Sequence, residues 1–119
     1  MNMPSRVKRL ISTDIVAYNI YATLCEGDCL DRVVEKSEIA ERYGYSDRQI
    51  RKAVSKLREA GLRVASSSHR PGYWICRTPE EYAALRAEFT NRIQALALVV
   101  RRMDEVMDGQ IEWDTEVNG

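Results

Sequence analysis

Apolar residues recur at helical spacing in four stretches of this chain and alternate with polar ones in a fifth. After Thr13-Asp14, the residues Ile15, Tyr18, Ala22 and Cys25 fall three or four apart. That spacing predicts a helix capped by the Thr-Asp pair and closed at Glu26-Gly27, where Gly27 can take the left-handed conformation. A loop over 28–32 and a short strand at Val33-Val34 follow. A second helix is expected over 36–43, with Ile39 and Ala40 facing inward and Gly44 closing it. Gly44-Tyr45-Ser46 is a turn, after which Ser46 caps a third helix, with Gln49 at the spacing of a reciprocal capping box. Ile50, Ala53, Val54 and Leu57 form one apolar stripe along that helix, and Gly61 ends it.

Between 62 and 76 the period changes to that of a strand. Leu62, Val64, Tyr73 and Ile75 alternate with their neighbours and Pro71-Gly72 is a turn signal, so 62–66 and 73–76 read as a hairpin with 67–72 at its tip. Thr78 caps a last helix, with Pro79 at its first position and Glu81 at the capping-box position. No further glycine or proline appears before Gly109, so a helix over 79–108 can reach ~45 Å. Its apolar residues Tyr82, Leu85, Phe89, Leu96, Val99, Met103 and Val106 keep heptad spacing, with Arg92 as one polar intruder and Ile93, Val100 and Met107 widening the stripe. Such a stripe exceeds what a small domain covers, so it either meets a second copy or folds back on the first helix. In a homodimer the expected contacts are Leu85, Phe89, Leu96, Val99 and Met103.

Charge sharpens this picture. The formal net charge of the 119 residues is zero, yet between Ser46 and Arg77 eight basic residues face two acids. A surplus of six positive charges in one segment suggests a surface that meets a polyanion. The N-terminal arm, 1–12, is basic and expected to fray, and the chain from Asp104 onward holds six acids and no base, a solvated tail over 109–119. No apolar run approaches the ~20 residues of a membrane span. No signal-peptide core is present, and three cysteines fit a reducing compartment, so a cytoplasmic location is expected. Cys25, Cys29, His69 and Cys76 are too loosely spaced for a zinc site, and the three cysteines read as buried thiols without a metal. No Gly-rich phosphate loop, paired carboxylate or Cys/His nucleophile pair is evident, so neither catalysis nor a cofactor is expected.

The segment 34–46 has the chemistry of a helix-turn-helix. Ala40 lets two helices cross closely, a glycine four residues later opens the turn, and Ser46 restarts the chain as a capped helix. In such a motif the second helix enters the major groove of DNA. With Ile50, Val54 and Leu57 inward, Arg48, Arg51, Lys52 and Ser55 are left on the outer face. Arg48 and Arg51 suit bidentate reading of guanine, whereas Lys52 and Lys56 suit phosphate. Gln49 is left open between the cap and a base contact. Asp47 favours the helix dipole but repels phosphate. Ser68, His69 and Arg70, in the polar hairpin tip, suit a phosphate backbone or minor groove. The plain alternative is solubilising charge on an exposed helix and an ordinary polar turn.

Ser46-Asp-Arg-Gln-Ile50, then Leu57-Arg-Glu-Ala-Gly61, then Gly72-Tyr73 resemble the winged-helix domain of the biotin-repressor type. The chain is more similar still to small prophage-encoded helix-turn-helix proteins that append a long helix after a Gly-Tyr strand. The resemblance implies an α+β, mainly α fold: a winged helix-turn-helix over 13–77 followed by a long helix over 78–108. It also implies binding of double-stranded DNA, with no ligase activity. The expected function is a homodimeric, sequence-specific transcriptional regulator of bacterial or prophage origin. The alternative is a phage accessory protein that binds a host protein complex through the same faces.

Overall fold

Asp14 divides the start of the chain into two helices. In the computed structural model, which describes residues 3–26, 32–66 and 71–106, α1 (Ser5–Thr13) ends as Asp14 N donates to Leu10 O at 2.9 Å. The Asp14 carboxylate then accepts from Ala17 N at 3.1 Å and opens α2 (Ile15–Leu24). The expected frayed arm is therefore largely helix. Met3, Val7, Leu10 and Ile11 have helical spacing, and Val7 is fully buried while the other three pack against the core.

The remaining elements are β1 (Val34–Glu35), α3 (Lys36–Tyr43), α4 (Asp47–Glu59), β2 (Val64–Ser66), β3 (Gly72–Ile75) and α5 (Pro79–Asp104). The chain is mainly helical, with one small antiparallel sheet of order β1-β3-β2. Val34 pairs with Tyr73, and Val64 with Ile75. This register turns Val34, Val64, Tyr73 and Ile75 into a core completed by Val7, Ile20, Leu24, Ile39, Ile50, Val54 and Leu57. Gly72 is needed where β3 passes β1, because a Cβ there would lie 2.6 Å from Val34 O.

Three expectations change. In α2 the buried residues are Ala17, Ile20, Thr23 and Leu24, whereas Ile15 and Tyr18 are exposed and Ala22 and Cys25 half-buried. The helix is apolar on nearly every side, so spacing alone did not determine which stripe faces inward; packing against α1 and α4 did. At the start of α5, Thr78 Oγ1 accepts from Glu81 N at 3.1 Å as a cap. The Glu81 carboxylate, however, accepts from Trp74 Nε1 at 3.2 Å and from Arg77 N at 3.3 Å, so it ties the helix to β3 instead of to Thr78. In the expected dimer seam, Leu85 is already buried within the single chain.

The chain divides into two compact units, Met1–Tyr82 and Ala83–Gly119. In the second, Phe89 is half-buried and carries the Arg92 guanidinium 4.9 Å from its ring centre, while Leu96, Val99 and Met103 are exposed. The predicted cap at Gly27, the loop at 28–31 with Cys29, the hairpin tip with Ser68, His69 and Arg70, and the tail from Met107 onward lie outside the described residues. No described helix is long and apolar enough to cross a membrane.

Candidate nucleic-acid interface

The connection from α3 to α4 is short because Gly44 takes a left-handed conformation, φ +74°, which closes α3 and turns the chain at once. Two tyrosines then fix that turn to α2. The rings of Tyr43 and Tyr45 stack with centroids 5.4 Å apart. The Tyr43 hydroxyl hydrogen-bonds Thr23 Oγ1 at 2.7 Å, and Asn19 Nδ2 donates to the Tyr45 hydroxyl at 2.8 Å. Thr23 is buried, so its hydroxyl needs these partners, and it also donates to Asn19 O. None of these four residues stood out in the sequence, because the contacts join positions 20 and 26 residues apart. Their effect is to hold the start of α4 at a set angle to α2.

At that start the capping box is complete: Ser46 Oγ accepts from Gln49 N at 3.1 Å, and Gln49 Oε1 accepts from Ser46 N at 2.9 Å. The carbonyl oxygen of Gln49 is thus used locally. The inner stripe of α4, Ile50, Ala53, Val54 and Leu57, is buried. Arg48, Arg51, Lys52 and Ser55 are exposed and share the opposite face. Among the described residues, neither Arg48 nor Lys52 has an ion pair within the chain.

The other charges are engaged. Asp47 Oδ2 receives Arg51 Nε at 2.8 Å, and its Oδ1 receives Lys36 Nζ at 3.2 Å. Lys36 foremost, with Arg51, holds the Asp47 carboxyl below the usual carboxylate range, so it stays ionised and offsets part of its partners' charge. Lys56, expected as a phosphate contact, is half-buried and donates to Asp14 Oδ2 at 2.9 Å. Arg58 donates from Nε to Val64 O at 2.7 Å and binds the end of α4 to β2. Arg63 lies 3.7 Å from the ring centre of Tyr82.

Beside the exposed ridge of α4, a cleft of about 400 Å³ is lined by Lys36, Arg51, Arg58, Ser66 and Gly72 among others. Three of its lining residues are basic, and Ser66, Pro71 and Gly72 line it from either side of the hairpin tip. Of the sequence-chosen residues the fold brings Arg48, Arg51, Lys52 and Ser55 onto one surface, keeps the Gln49 side-chain oxygen on the cap, and pairs Lys56 with Asp14. Burial pushes the Cys25 and Cys76 thiols up, away from the reactive thiolate. No protein family, curated protein or solved structure matches this chain.

Proposed function

We propose that this chain is a sequence-specific double-stranded DNA-binding protein of the winged helix-turn-helix kind, acting as a homodimeric transcriptional regulator of bacterial or prophage origin. The observation that carries the reading is the exposed face of α4. Two arginines, a lysine and a serine lie on one side of a helix whose start is capped, and whose preceding turn is pinned to α2 by Tyr43 and Tyr45. A rigid helix presenting guanidinium groups near its N-terminus fits the major groove, where Arg binds guanine O6 and N7 together.

In this reading Arg48 and Arg51 read bases, Lys52 and Ser55 contact phosphate or base edges, and Ser68, His69 and Arg70 are proposed as phosphate or minor-groove contacts. Asp47 orients Arg51 through the Nε contact. The test is selection of bound sequences from a random duplex pool with full-length protein at near-physiological salt. The expected result is a palindrome whose half-sites are ~34 Å apart, or a multiple of that. Recovery of no motif would overturn the sequence-specific reading.

A further inference from the structure

Along α5 the charges stop where the apolar residues become continuous. Residues 93–100, Ile-Gln-Ala-Leu-Ala-Leu-Val-Val, carry no charge and are all exposed, with Ile93 at 65%, Leu96 at 62% and Val99 at 52%. Met103, at 61%, extends the stripe. A surface this apolar and continuous marks a contact with another surface. The stripe also defines its own repeat. Phe89, Leu96 and Met103 occupy one seam position of the heptad, and Arg92, Val99 and Val106 the other. Ile93 and Val100 flank the seam on one side; Glu88, Ala95 and Arg102 flank it on the other.

The charges decide what covers it. The partner must accept Arg92 within the seam and meet both Glu88 and Arg102 beside it, all three of which are exposed. A peptide of one sign would oppose one of those two flanking charges. A second copy laid parallel and in register would put the two Arg92 guanidiniums against each other in an apolar seam, where unpaired like charge is costly. It would also leave Glu88 beside the partner's Ile93. A copy running antiparallel removes both faults. Arg92 then lies against the partner's Leu96 and Phe89 against the partner's Val99, while Glu88 stands opposite the partner's Arg102, twice by symmetry. Near the two-fold axis Ile93 and Ala95 meet their own copies, so no charge sits at the centre.

We propose that α5 pairs antiparallel with α5 of a second copy, in the register that sets Glu88 against Arg102 of the partner subunit. The proposal deepens the homodimer of the reading above, but it rests on α5 alone and stands whether or not α4 binds DNA. It is tested by sedimentation equilibrium of the full-length protein without DNA, with circular dichroism confirming that each variant keeps its helix content. The wild type is expected to be dimeric, and Val99→Glu, which sets a carboxylate against the partner's Phe89, to be monomeric. Glu88→Arg and Arg102→Glu should each weaken the dimer about 2- to 10-fold, and the double variant should return to within about 2-fold of wild type. A monomeric wild type would overturn the proposal. So would a double variant as weak as the two single losses combined, since only apposed charges restore each other when swapped.

Discussion

Lys56 Nζ donates to Asp14 Oδ2 at 2.9 Å, joining the last turn of α4 to the residue that separates α1 from α2. One carboxylate thereby caps α2 and anchors the helix that carries the candidate interface.

This pair has a pH signature. The Lys56 hydrogen bond foremost, and then the Ala17 N–H, hold the Asp14 carboxyl below its ordinary range. A depressed folded-state pKa contributes stability that is present above the unfolded value, ~3.9, and is lost as pH falls through the folded value. Asn keeps the cap but not the charge. The stability difference between wild type and Asp14→Asn should therefore be level from about pH 7 to about pH 5 and shrink below about pH 4. Asp14→Ala also removes the cap and should cost ~1–2 kcal/mol at neutral pH. Urea unfolding at stepped pH measures both, and a difference that widens on acidification would contradict the assignment.

The two kinds of basic residue on α4 should separate in binding experiments. Arg51→Ala is expected to lose ~1–3 kcal/mol on a selected site and to relax preference at one base pair. Lys52→Ala should weaken all duplexes alike and lower the slope of log K against log salt by ~1. Lys56→Met should change DNA affinity less than Lys52→Ala but lower folding stability by ~0.5–1 kcal/mol, because its charge is committed to Asp14. Fluorescence anisotropy over a salt series distinguishes these outcomes. Equal losses on every sequence for Arg51→Ala would remove it from base reading.

The N-terminal helix is predicted to be part of the folding unit. Val7→Ala, at a fully buried position, should destabilise by about 2 kcal/mol, and deletion of residues 1–12 by more. Thermal unfolding of both variants checks this. An unchanged Tm would return the segment to the status of a dispensable arm.

Gly72 allows β3 to approach β1. Gly72→Ala would place a methyl 2.6 Å from Val34 O and from Val33 Cγ1, one of them backbone that cannot rotate away. A loss of ~1–3 kcal/mol or more is expected by denaturant unfolding. Gly44→Ala has open space around it and only the left-handed backbone to contend with, so its cost should be ~1–2 kcal/mol.

Local chemistry by itself determined α3, the turn at Gly44, the start and inner stripe of α4, and the first residue of α5. In each, a cap, a glycine or an amphipathic period lies within a few residues, so the signal is legible without any distant partner. The same reasoning grouped Arg48, Arg51, Lys52 and Ser55 on one face, because their positions follow from which residues of α4 are apolar. Tertiary structure decided what local pattern leaves open. Helix α2 is apolar on most sides, so only packing chose Ile20 and Leu24 over Ile15 and Tyr18. The short segment before Asp14 became a helix of the core because Val7 found a buried position there. Lys56 and Asp14 are 42 residues apart, as Thr23 and Tyr43 are 20 apart, and no period in a sequence records a partner at that distance. Charge in a sequence thus locates a candidate surface, but which charges remain free to act on another molecule depends on where the folded chain places their counterions.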